Sequence, residues 1–198
     1  MNIRKTSLSG VIEITPDVHG DERGFFKEII HPQKLSAVGV NHRFVQINHS
    51  RSKQWTLRGL HFQKPPYAQS KLVRCLRGKI FDVAVDIRPK SPTFRQWHGA
   101  ELTEENHKML YVPIGFAHGF LALTDCDVEY ACGDIYSPGY ECGMLWNDSQ
   151  VGIEWPCNEN IPIVSDKDTK LGPLSVICDD LFWPNEAYSI PDISSEVK

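Results

Sequence analysis

The chain has 198 residues, 41% of them hydrophobic and 23% charged, with a formal net charge of −4. That length suits one domain able to bury a full core without staples, and the acidic balance gives no basic footprint for nucleic acid. The N-terminal MNIRKTSLSG holds no signal-like apolar run and no stretch is apolar for long enough to span a bilayer, so a cytoplasmic protein without membrane contact is expected.

In chain order, a short strand is expected at 10–15, and Pro32 opens a helix ending near Gly39. Strands follow at 43–48 and 56–62. Residues 71–87 read as two strands meeting at Arg77-Gly78-Lys79, with Phe81, Val83, Val85 and Ile87 on one face and Asp82, Ala84 and Asp86 on the other. Further strands are expected at 97–102, 109–112, 119–124 and 127–132, with one capped turn in LTEEN at 102–106. From Pro156 the chain is proline-rich, with helical turns after Ser165. Gly and Pro recur at short intervals between the strands, which points to an all-β sandwich or barrel and away from βαβ units. The six cysteines show neither CxxC pairs nor metal-finger spacing and are expected as free thiols.

Imidazole is the side chain best matched to proton transfer near neutral pH. Of the eight histidines, His19, His31, His42, His49, His98 and His107 lie in polar surroundings and are expected at the surface. His61 (GLHF) and His118 (GFAHGFLAL) lie in or beside apolar strands, where each reads either as a core histidine bonded to backbone or as a functional one. Pro113-Ile114-Gly115-Phe116-Ala117-His118 matches the PxGxxH element of cupins, small jelly-roll barrels with such a histidine at the mouth. The upstream cupin element usually supplies two histidines two apart and a glutamate as metal ligands. Here it reads His61-Phe62-Gln63, and two imidazoles with an amide make a poor metal site. No metal is expected there, and His61 is left free as a base.

Among cations, Arg23, Arg58 and Lys71 are candidates for a common cavity. Lys71 shares parity with Val73 and Cys75, so an inward-facing 71–75 strand would bring its ammonium toward His61. A lysine in an apolar run reads as snorkelling, as a solvated strand end, or as the partner of a bound anion. Tyr130 lies on an apolar strand, Tyr136 lies where the chain turns into SPGY, and Asp168 in SDKD resembles a helix cap; each is bland by itself.

Taken together, DERGFF (21–26), QINHS (46–50), LRGLHFQ (57–63), QSKLVRCLRGKIFDVAVDIR (69–88), SPTF (91–94), VPIGFAHGFLAL (112–123), LWND (145–148), GIEWP (152–156) and SDKD (165–168) resemble the dTDP-4-dehydrorhamnose 3,5-epimerase family in order and spacing. The resemblance runs from about Lys5 to about Leu174. It implies a cupin-type jelly-roll barrel over about 5–155, with a few short helices mainly near the C-terminus and a segment, 156–198, packed on the barrel. It further implies a cofactor-free homodimer acting on a nucleotide-linked 4-keto-6-deoxyhexose. By the same resemblance His61 is the base, Asp168 its partner, Lys71 the neighbour of the keto oxygen and Tyr130 the opposing acid. Arg58 and His118 match residues near the diphosphate. Arg23, Glu28, Gln46 and Asn48 match residues around the nucleotide and phosphates, with Arg23 and Glu28 offered across the dimer, and Tyr136 joins the substrate-binding set. The chain departs from the family at Trp55-Thr56, where Gly-Val is usual, at Ile47, where Asp is common, and at Tyr67, where His is common. Trp55 and Tyr67, close in sequence to the active-site strands, are placed to alter sugar or base choice. The alternatives are a single-centre epimerase on a related nucleotide sugar, a metal-dependent cupin isomerase or dioxygenase, and a non-catalytic sugar-binding barrel.

Overall fold

The computed structural model describes residues 1–41, 43–177, 181 and 183. Its first strands are β1 (Asn2–Lys5), β2 (Ile12–Thr15), β3 (Val18–Asp21), β4 (Gly24–Lys27), β5 (Gln46–Ser52), β6 (Thr56–Gln63) and β7 (Lys71–Arg77). They are followed by β8 (Lys79–Asp86), β9 (Trp97–Thr103), β10 (Met109–Val112), β11 (Phe116–Ala122), β12 (Cys126–Cys132), β13 (Glu141–Gly143) and β14 (Ile163–Val164). The helices are α1 (Pro32–Ser36) and α2 (Leu174–Ile177), with single 3-10 turns at Pro138–Tyr140 and Asp168–Lys170. One sheet has the order β1-β2-β10-β7-β12-β5, the other β13-β6-β11-β8-β9, and β14 adds to β6 in parallel. β3 and β4 form a separate hairpin. The expected all-β jelly roll is what the chain builds.

Apolar residues fill three layers. Between the sheets lie Val73, Cys75, Ala84, Leu110, Phe120 and Val128. The outer face of the first sheet, with Ile14, Leu72 and Tyr111, is covered by Leu35 and Val38 of α1 and the turn after it. The outer face of the second, with Phe62, Val83 and Val85, is covered by Val151, Leu174 and Trp183. Each large side chain buried in these layers stabilises the fold by roughly 1.5–3 kcal/mol. The SPTF loop is tied to the second sheet by a wholly buried Asp86, which accepts hydrogen bonds from Arg88, Ser91 and Thr93.

Several expected elements shift. β5 runs Gln46–Ser52 and not 43–48, because its polar residues Gln46, Asn48 and Ser50 turn inward while Ile47 faces out, 63% exposed. β11 starts at Phe116 and not 119; all seven of its residues are buried, so no alternation marks its start. The helix at Pro32 ends at Ser36, where Ala37 caps it. LTEEN ends β9 and continues as a turn, capped by Thr103 Oγ1 accepting from the N–H groups of Glu105 and Asn106. Three histidines expected at the surface are half-buried and make specific contacts. His98 bonds Glu13 across the two sheets at 3.0 Å, His107 meets Lys27 at 2.8 Å, and His31 caps α1. The described cysteines Cys75, Cys126, Cys132, Cys142 and Cys157 are free thiols. His42, Cys178 and most of the expected C-terminal segment lie outside the described residues.

Candidate active site

The inner face of the sandwich changes character along its length. Val73, Cys75 and Val128 pack between the sheets, but Lys71 and Tyr130, on the same faces of β7 and β12, line a cavity of about 480 Å³. His61 and Arg58 of β6 and His118 of β11 complete much of its wall. A second recess of about 100 Å³ shares His61, Lys71 and Tyr130 and adds the amides of Gln46, Asn48, Gln63 and Gln69. The two sheets therefore present their functional side chains to one space: Lys71 and Tyr130 from the first, His61 and His118 from the second.

A β-bulge aims His61. His118 pairs with His61 and Phe120 with Arg58, so Gly59 and Leu60 of β6 oppose Gly119 alone. Gly59 has φ +121°, and a Cβ there would lie 2.6 Å from Gly119 Cα. Only glycine fits this close approach. The Gly59 N–H turns to Asp168 Oδ2 at 3.3 Å, while Asp168 Oδ1 lies 2.7 Å from His61 Nε2. β14 brings Asp168 there, since Ile163 N–H donates to Trp55 O and Ile163 and Val164 pair with Thr56 and Leu57. Ser165 Oγ then accepts from Asp168 N–H. Burial pulls the His61 pKa below its ordinary value against the opposing pull of Asp168. With Nε2 bound to a carboxylate, the neutral ring carries its proton there and leaves Nδ1 as the basic atom.

Lys71 and Tyr130 are shifted by the same physical cause in opposite chemical senses. Burial lowers the Lys71 pKa, making its ammonium a readier donor, and pushes the Tyr130 phenol up, keeping it protonated. The Lys71 Nζ lies 6.0 Å from the Tyr130 ring centroid, and among the described residues it has no ion pair. Asn48 donates to Cys132 Sγ and accepts from Gln46, fixing the wall beside Tyr130. Arg58 is held by Ser52 Oγ at 2.9 Å and by the Arg51 carbonyl. His118 Nε2 lies 2.8 Å from the buried Asp82. Gln63 commits its amide to backbone, donating to Tyr67 O and Ile135 O and accepting from Ser137 N–H. It is therefore a strut for the loop that carries Tyr136.

A family model described as dTDP-4-dehydrorhamnose 3,5-epimerase matches residues 5–175. The chain belongs to this family. It is 50% identical over 170 residues to the dTDP-4-dehydrorhamnose 3,5-epimerase of Shigella flexneri, covering 85% of this chain and 93% of that protein. The crystal structure of dTDP-6-deoxy-D-glucose-3,5-epimerase from Legionella pneumophila, in complex with dTDP-4-keto-L-rhamnose, superposes with a TM-score of 0.87 at 41% identity, covering 92% of this chain and 99% of that one. A 3′-monoepimerase from Streptomyces bikiniensis, in complex with dTDP-quinovose, is similar at a TM-score of 0.80 and 33% identity over 86% of each chain.

The epimerase, an isomerase-class enzyme, places the remaining expected site residues in two groups. Gln46, Asn48 and Tyr136 border the smaller recess with His61, and Gln46 Oε1 accepts from Tyr136 N–H. Arg23 and Glu28 lie elsewhere in this chain: Arg23 pairs with Asp21 on the β3–β4 hairpin, and Glu28 with Lys34. That hairpin has its own open concavity, bordered by Arg23, Phe25 and Phe26. Sequence reasoning passed over Glu141 and Lys167. Glu141 Oε2 accepts from both Tyr136 Oη (2.7 Å) and Lys167 Nζ (2.6 Å), with Lys167 on the wall of the larger cavity and Glu141 on that of the smaller. Lys167 stands inside the SDKD motif; Glu141 opens β13, a strand of three residues, too short for a period to show. No helix among the described residues is long and apolar enough to cross a membrane.

Proposed function

We propose that this epimerase converts dTDP-4-dehydro-6-deoxy-D-glucose into dTDP-4-dehydro-L-rhamnose by inverting C3 and C5, as a cytoplasmic homodimer. The observation that carries this reading is the 2.7 Å His61–Asp168 pair in one cavity with Lys71 and Tyr130. A C4 ketone acidifies the hydrogens on C3 and C5, so the scheme runs on protein side chains alone. His61 Nδ1 takes the proton, and Asp168 holds the ring and stabilises the resulting imidazolium, as a carboxylate does in catalytic triads. The Lys71 ammonium meets the enolate oxygen, a kind of donor whose removal typically costs about 10²–10³ in rate. Tyr130 returns a proton from the opposite face, inverting the centre. One base reaches either carbon after a modest shift of the ring.

Arg58 and His118 would receive the diphosphate. Gln46, Asn48 and Tyr136 would receive the nucleoside side. Arg23 and Glu28 would reach the nucleotide from a second subunit, which is why they stand away from this chain's cavity. Exposed Phe25 and Phe26, 60% and 70% exposed on the hairpin that carries Arg23, support such a contact. A C3-only epimerase is the second reading, favoured by the likeness to the 3′-monoepimerase. The substrate class is tested by NMR of purified enzyme with dTDP-, GDP- and CDP-linked 4-keto-6-deoxyhexoses. Product from the dTDP sugar is expected; preference for a GDP or CDP sugar would contradict the assignment.

A further inference from the structure

One buried carboxylate has no part in this scheme. Asp82 on β8 is fully buried, and only one of its oxygens is bonded: Oδ1 lies 2.8 Å from His118 Nε2, while Oδ2 has no hydrogen-bond partner. Leaving a buried acceptor without a partner is costly, and more so when it is charged. Such a group persists where donors or cations face it. The His118 ring is one. Lys71 is the other: Asp82 shares the inward parity of Ile80 and Ala84 on β8, and Lys71 that of Val73 and Cys75 on the facing sheet, so both enter the space between the sheets, where the carboxylate favours the ammonium form. Lys71 also lacks an ion pair of its own among the described residues.

We propose that Asp82 is a positioning residue shared by His118 and Lys71, fixing the His118 ring with Nδ1 free for an anion and supplying the buried counter-charge of the Lys71 ammonium. This rests on the epimerase reading of the cavity. With Nε2 bound to Asp82, Nδ1 is the ring nitrogen left to the cavity that His118 lines with Arg58. The groups that bind anion and enolate would thus share one carboxylate across the two sheets. The titratable groups facing Lys71 are Tyr130 and Cys132 on β12, His61 on β6, Glu141 on β13 and Asp82 on β8. Those facing His118 are Asp82 on β8, its direct neighbour His61 on β6, and Arg58 and Lys71, which line the same cavity.

The test is Asp82→Asn, which keeps an acceptor for His118 Nε2–H and removes the charge. Three quantities would be measured: the pH profile of kcat, the affinity for inorganic pyrophosphate by calorimetry, and thermal unfolding. Loss of kcat by roughly 10–100-fold is expected, in the range seen when partners that orient site groups are removed. Without the negative charge the Lys71 ammonium is less favoured, so the alkaline limb of the profile moves to lower pH. Pyrophosphate binding weakens while the fold survives. A limb that stays in place, or pyrophosphate binding equal to wild type, would reduce Asp82 to a structural residue and overturn the proposal. If Asp82→Asn does not fold, His118→Asn decides: freeing Asp82 for Lys71 alone should move the alkaline limb to higher pH, and an unmoved limb overturns the proposal. A wild-type enzyme that turns over none of the three sugars would refute the epimerase reading, while the pyrophosphate comparison would still judge Asp82.

Discussion

His61, Lys71 and Tyr130 share one wall system, yet burial drives the first two toward giving up protons and the third toward keeping one. Pairs of groups pushed apart in this way are what acid–base work at neutral pH requires. Asp168 opposes the shift of His61, so its charge has a readable effect. Asp168→Asn keeps an acceptor for His61 Nε2–H but no longer stabilises the imidazolium, and kcat should fall by about 10²–10⁴-fold. His61 acts as base only when neutral. Losing the carboxylate lowers its pKa further, so the acid limb of kcat/KM should move to lower pH; a limb that stays or rises would contradict the pairing. At this scale the sequence was only partly legible. His61 alone read equally as a core residue, and Asp168 read as a cap, because what joins them is a contact 107 positions apart in the chain. Glu141 was invisible for the same reason: its meaning comes from Tyr136 and Lys167, which only the folded loop brings to it.

Among the elements, β6 does the most to shape the site, through the bulge at Gly59 and the parallel addition of β14. A Cβ on residue 59 would meet Gly119 Cα at 2.6 Å and His118 O at 2.8 Å, on a backbone with φ +121°. Gly59→Ala should therefore cost about 2–4 kcal/mol in urea unfolding and weaken activity by displacing His61. Wild-type stability in that variant would show that the bulge does not depend on glycine. The alternation along β7 and β8 was readable in advance, because Lys71, Val73 and Cys75 do share the inner face. β5 was not. Its inner residues are the polar ones that line the recess, so the usual link between apolar character and inward direction is reversed where the site is built. β14 is two residues long, too short for any period to show.

For the molecule as a whole, the all-β architecture was legible because Gly and Pro punctuate short strands, whereas the burial of both outer sheet faces under α1 and under Leu174 and Trp183 was not. The hairpin bearing Arg23 stands apart from the cavity in this chain, which makes assembly a testable part of the function. Sedimentation should give a two-chain particle, and Arg23→Ala should raise KM about tenfold, near 1.4 kcal/mol, with kcat little changed. A monomer with full activity, or an Arg23→Ala enzyme with unchanged KM, would rule out a contribution from the partner. The most direct measurement of the chemistry is NMR of the dTDP-4-keto-6-deoxyhexose turned over in deuterated water. The expected result is solvent deuterium at both C3 and C5 with wild-type enzyme, and at neither carbon with His61→Ala. Label at one carbon only, or label that survives the loss of His61, would contradict double inversion by a single histidine base.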